Sequence, residues 1–228
     1  SGVDERNILP ARPDRSSVMK EIYPHLWVLH PDKGHENAGY AYLLKRKDGN
    51  VLMGRSDDMS AQVPLLEAYG GVAQIYIHDR HMAKAGMGKN TDALGLGIIC
   101  SAIEARACHK SVAVAEKLPM EPIQVLPDLK IVPTPGHTQG AFSHIWENGK
   151  HRYLFIGDTL VPVEGEWKFW VSKKNTALMI ESMQRLQQED FDVILSNSFG
   201  CKPFAWTNVT KRQKDNMLSG VLTALNAR

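Results

Sequence analysis

Short apolar segments separated by turn residues set the rhythm of this chain from residue 21 onward. Residues 22–30, 39–44 and 51–53 read as strands, and Lys47-Asp48-Gly49-Asn50 between the last two is a hairpin signal. Residues 72–77 form a nearly continuous apolar run, the pattern of a strand buried on both faces, whereas 64–69 and 94–107 carry helical spacing. The second half repeats this alternation, with strands at 123–125, 130–132, 142–146, 153–156 and 193–195. Helices are expected at 176–189 and 211–225, and Asn148-Gly149 marks a second hairpin. No internal repeat emerges. Strands and helices mixed in this way, with hairpins in each half, predict an α/β architecture: two sheets packed as a sandwich and flanked by helices.

At 228 residues the chain suits one large domain over 21–228, preceded by a flexible polar arm over 1–20 that contains Pro10 and Pro13. Hydrophobic residues make up 43% and charged residues 23%. The net charge of +2 argues against a nucleic-acid partner, and no apolar run is long enough for a membrane span. The three cysteines, Cys100, Cys108 and Cys201, are too few and too uneven for a disulfide framework and fit a reducing, cytoplasmic setting, with Cys100 and Cys108 packed in the core. Ser1-Gly2 in place of an initiator Met reads as a scar, so a targeting segment removed upstream stays open.

Chemistry concentrates where apolar runs end. His78 follows the run 72–77, and His81 lies three residues later. His137 closes Thr134-Pro135-Gly136-His137-Thr138, and Asp158 sits in Phe155-Ile156-Gly157-Asp158-Thr159. A hydrolytic metal site needs about three such His and carboxylate ligands plus an open position, and rigid strand ends hold ligands well. Each residue alone has a plainer reading as a hydrogen-bonded core histidine, a solvated loop histidine or a tight turn.

Their order and spacing resemble the metallo-β-lactamase fold superfamily, which shows a His-x-His-x-Asp-His motif after a strand, then Pro-Gly-His-Thr, then Gly-Asp-Thr, then a late Gly-His. The resemblance spans roughly 21–203 and includes the strand Asn37-Ala38-Gly39-Tyr40-Ala41-Tyr42-Leu43-Leu44. It implies the αββα sandwich, with His137 as a histidine ligand and Asp158 as the carboxylate that bridges two metals. With His78 aligned to the first His, Arg80, Met82 and Ala83 replace three ligands. Asn197-Ser198 replaces the late Gly-His, and Gly54 stands where an acidic residue is usual. The chain is therefore expected to be a divergent member with an eroded metal-binding motif.

Three functional expectations follow. The first is a hydrolase with at most one metal ion, zinc before iron, held by His78, His137 and Asp158, acting on an unidentified small molecule. In it Arg80 repels a second cation. His81 is a loop histidine in this register, unless a rearranged loop brings it or Asp79 to the metal. The second is a noncatalytic pseudoenzyme without metal, in which Arg80 pairs with Asp158 or Asp79 and the old cleft binds a small molecule or a protein. Iron-dependent redox chemistry is the third. His30 and His35 could edge the cleft. Residues 167–170, with Trp206, either line a pocket or pack on the sheet. Cys201 lies near the cleft without a partner histidine, and residues 86–91 lack the full spacing of a phosphate loop.

Overall fold

In the strand Ala41–Leu44, successive side chains leave in opposite directions: Tyr42 and Leu44 join one hydrophobic cluster, and Ala41 and Leu43 join another. The strand Arg152–Gly157 does the same, sending Tyr153 and Phe155 into the first cluster and Leu154 and Ile156 into a third. Two sheets therefore share one inner core, and each has a second apolar face that needs helices to cover it. This is why the central strands read as unbroken apolar runs.

The structure is a computed structural model and describes residues 18–29 and 39–228. In its first half the elements are β1 Met19–Tyr23, β2 Leu26–Leu29, β3 Ala41–Leu44, β4 Val51–Met53, α1 Val63–Ala68, β5 Gln74–Tyr76, α2 Ala85–Leu94, β6 Ile98–Ser101, α3 Ala102–Cys108 and β7 Val114–Leu118. The seven strands form one sheet in chain order, antiparallel through β4 and parallel from β4 to β7. The second half comprises β8 Ile123–Leu126, β9 Leu129–Pro133, β10 Phe142–Glu147, β11 Arg152–Gly157, β12 Val161–Val163, β13 Glu166–Lys168, α4 Thr176–Gln187, β14 Val193–Ser196, β15 Trp206–Asn208 and α5 Lys211–Asn226. Its main sheet runs β15-β14-β11-β10-β9-β8, with β11 and β14 parallel, and β12 and β13 form a separate hairpin. Residues from α2 and α3 pack on the outer face of the first sheet, and residues from α4 and α5 on that of the second. The architecture is an αββα sandwich.

Several expected elements shift. The run 22–30 splits at Pro24-His25, where His25 takes a positive φ of 65°, so β1 and β2 form a hairpin. Because β1 begins at Met19, the domain reaches back into the segment expected to be an arm; residues 1–17, like His30 and His35, lie outside the described residues. The helical spacing over 94–107 hides three elements. Gly95 ends α2 in the left-handed conformation, and β-branched Ile98 and Ile99 favour a strand. Gly97 lets that strand approach β7, since a Cβ there would stand 2.6 Å from the Ala115 nitrogen. Cys100 is thus on β6, while Cys108 ends α3, and both are buried.

One polar clasp crosses the sandwich. Asp128, between β8 and β9, accepts hydrogen bonds from Arg46 Nε at 2.7 Å and Nη2 at 2.6 Å, just past β3, and from Trp146 Nε1 at 2.9 Å on β10. Burial alone would raise the Asp128 pKa, but the bonds from Arg46 and Trp146 outweigh it and hold the carboxyl below the usual range. A depressed carboxylate contributes stability above its unfolded pKa of about 4, and that contribution disappears as pH falls through the folded value. Asp128→Asn is expected to cost about 1–3 kcal/mol at pH 7 in urea unfolding. The gap to the wild type should close in acid, and a gap unchanged by pH would show that the charge contributes nothing.

Candidate metal centre

The loop after β5 turns on Arg80. Asp79 caps the short 3-10 turn Arg80–Met82, its Oδ1 accepting the His81 amide at 2.7 Å. Arg80 reaches away from the cleft to Glu104, which accepts from its Nε at 3.0 Å, from Nη2 and, through Oε1, from its backbone amide at 3.2 Å. Ser101-Ala102-Ile103-Glu104 has the spacing of a capping box, and Ser101 Oγ does accept the Glu104 amide. The Glu104 carboxylate, completely buried, is diverted to Arg80 instead of returning to the helix end. Arg80 therefore neither intrudes on the cleft nor pairs with Asp79 or Asp158 as expected; Glu104 claims it.

His137 is set from behind. Ser182 Oγ on α4 donates to Pro135 O at 2.6 Å, and Asn175 Nδ2 donates to Gly136 O at 3.1 Å. His137 Nδ1 donates to the Trp170 carbonyl at 3.1 Å, which leaves Nε2 without a proton and turned toward His81. The segment around Trp170 is itself held by Arg228, whose Nη2 donates to Val171 O at 2.8 Å and whose guanidinium lies 5.8 Å from the Phe169 ring centre. Asp158 follows β11 at Gly157, whose φ of 60° and lack of a side chain are both required: a Cβ there would stand 2.5 Å from His78 Cγ.

These elements bring four side chains together. Donor atoms of Asp79, His81, His137 and Asp158 all lie within 4.8 Å of one another. His81 Nδ1 is 3.0 Å from His137 Nε2 and 3.5 Å from Asp79 Oδ1, while His137 Nε2 is 3.9 Å from Asp79 Oδ2 and 4.0 Å from Asp158 Oδ2. Donors about 2.1 Å from a zinc ion would be separated by about 3.4 Å along a tetrahedron edge. The group thus has the size of a coordination shell, and Asp158 Oδ1 is buried without a hydrogen-bond partner. Burial raises the Asp79 pKa. Burial, then the charge of Asp79, pushes Asp158 up to about 6, and burial followed by His137 lowers His81. Two acids that strain to ionise together are relieved by a cation between them.

His78 is not in this group. Alternation carries it to the inner side of the sheet, where its Nδ1 donates to Phe142 O at 2.8 Å, its ring meets His144 edge-on at 4.7 Å, and Gly157 covers it. Burial lowers its pKa to about 4 and that of His144 well below the ordinary value. The pair forms a neutral floor beneath the site. Asn197 stitches the cleft's far side to Tyr40, donating Nδ2 to Tyr40 O at 3.0 Å and accepting the Tyr40 amide at 2.8 Å. Cys201 is buried, with its Sγ 3.2 Å from Ser198 O. Trp170 is 59% exposed and lines the pocket, whereas Trp167 and Phe169 pack on the helices of the second sheet.

No protein-family model matches the chain, and no curated protein sequence does. Solved structures do. A metallo-β-lactamase from Pontibacter korlensis aligns over 92% of this chain and 99% of its own, with a TM-score of 0.68 and 15% identity. A Cronobacter sakazakii metallo-β-lactamase with a HARLDQ motif covers 92% of this chain and 93% of its own at TM-score 0.66 and 16% identity. A class B3 di-zinc enzyme from an Alaskan soil metagenome covers 95% and 97% at TM-score 0.63 and 16% identity. The chain has the metallo-β-lactamase fold.

The group differs from the sequence expectation by one residue in the loop after β5: Asp79 and His81 converge with His137 and Asp158, whereas His78 and Arg80 do not. The signal that could have found this was the i, i+2 pair Asp79 and His81; the histidine immediately after the strand drew attention from it.

The Arg80–Glu104 pair gives a direct test. Burial alone would raise the Glu104 pKa, but the Arg80 hydrogen bonds and charge outweigh it and hold the carboxyl low. Arg80→Met strands a buried charge and is expected to cost about 3 kcal/mol in urea unfolding at pH 7. The loss should shrink as the pH falls through the depressed Glu104 pKa and the carboxyl takes up its proton. Adding Glu104→Met should recover most of it. A double variant as unstable as the single one would show that the pair does not act as a unit.

Proposed function

We propose that this chain is a hydrolase built on the metallo-β-lactamase fold, with one divalent cation held by Asp79, His81, His137 and Asp158. The observation that carries this reading is the convergence of two imidazoles and two carboxylates on one point at the mouth of a pocket of about 550 Å³. Among the described residues a second ion lacks ligands, with Ala83 and Lys84 read at two motif positions and Ser198 at the late histidine. Zinc and ferrous iron both suit the donor set. A cation there would supply Lewis acidity, polarising an ester, thioester or related carbonyl and acidifying water at neutral pH.

The chain's own groups do the rest. The Trp170 carbonyl fixes the His137 tautomer, and Asp79 orients His81 through its amide. Asp158, with Oδ2 toward the histidines and Oδ1 unpartnered, is placed to take a proton from the attacking water. The neutral floor of His78 and His144 keeps the base of the site dry.

The alternative is a noncatalytic binder of the same fold, in which the His81–His137 contact closes the site without any ion. Metal analysis after equilibration with zinc or iron separates the two. One ion per chain is expected, with a thermal stabilisation that grows with zinc, and Asp79→Asn or His137→Ala should lose the ion. His78→Gln should keep it. Absence of stoichiometric metal, or hydrolysis of a model thioester that survives chelation, would overturn the reading of a metal-dependent hydrolase.

A further inference from the structure

The pocket has an uneven lining. Val161 and Val163 of β12 and the indole of Trp170 make an apolar wall, and Phe199, also 59% exposed, stands at the rim. Two cations line the same space. Arg55 is fully engaged, donating from Nη1 to Gly39 O at 2.6 Å and from Nη2 to Asp57 Oδ2 at 2.8 Å. Lys84 is exposed, and among the described residues its ammonium makes no hydrogen bond or ion pair. It lines the same pocket as His81, His137 and Asp158. Its backbone is set by α2, which it caps: Gly86 lets that helix lie against the loop 56–58, where a Cβ would meet Ser56 O at 2.5 Å.

The charge balance follows from the metal-centre reading, on which this inference rests. Asp79 and Asp158 together match one divalent ion, Arg55 is matched by Asp57, and Lys84 is left over. Among the described residues, a metal-loaded pocket therefore presents one uncompensated positive charge beside an apolar wall, within the volume range of small-molecule sites. We infer that the pocket takes a small organic monoanion, its carboxylate or sulfonate on Lys84 and its apolar body along Val161, Val163 and Trp170. One free cation among the described residues does not suit a polyanion, and the wall offers little to a wholly polar molecule.

Isothermal titration of the zinc-loaded protein with 4-phenylbutyrate and its neutral isostere 4-phenylbutanamide tests this. The acid is expected to bind at least tenfold more tightly. Lys84→Gln should reduce that preference to within about twofold, Lys84→Arg should retain it, and Trp170→Ala should weaken both ligands alike. Equal binding of the two by the wild type, or a preference that persists in Lys84→Gln because the carboxylate sits on the ion, would overturn the inference. Zinc stoichiometry is measured first. Failure to bind zinc removes both this inference and the hydrolase reading, whereas zinc without anion preference removes this one alone.

Discussion

Everything at the cleft depends on where one guanidinium goes. Arg80 lies between Asp79 and His81, and a side chain of that size and charge pointing into the pocket would hold any cation away. The carboxylate that draws it out is completely buried and comes from the start of a helix on the outer face of the first sheet. Because neighbours along a tight turn face different ways, anchoring Arg80 outward aims the residues on either side of it inward. The fold thus uses an ion pair with one buried and one exposed member to set local direction.

The layers were readable because binary pattern survives divergence. Continuous apolar runs identified β5, β9, β10, β11 and β14, and the turn residues at Gly49 and Gly149 placed two hairpins. What escaped had no periodic signature. β6 shared its apolar residues with flanking helices, and the break after Tyr23 came at Pro24-His25, with no glycine to mark it. At the site, His137 and Asp158 were legible from their turn motifs. Asp79 was not, because an acid following a histidine reads as loop until the backbone shows which of the two faces the pocket. The role of Glu104 depends on a contact across twenty-four residues that no local pattern encodes.

Lys84 gives the cleft a positive charge on a flexible stem. An ammonium needs no coordination shell, yet it offers three donors to an incoming anion. On the proposed single-ion reading, the pocket has a positive pole beyond the ion itself.

The contact from Arg228 to Val171 and Phe169 has a different kind of reach. Arg228, just beyond the end of helix α5, lies far from the cleft in sequence, yet the segment it grips supplies the oxygen that fixes the His137 ring. Rotation of that helix, or a ligand wedged beneath it, would be transmitted as a tilt of a single imidazole, so the rear of the molecule has a mechanical handle on its front.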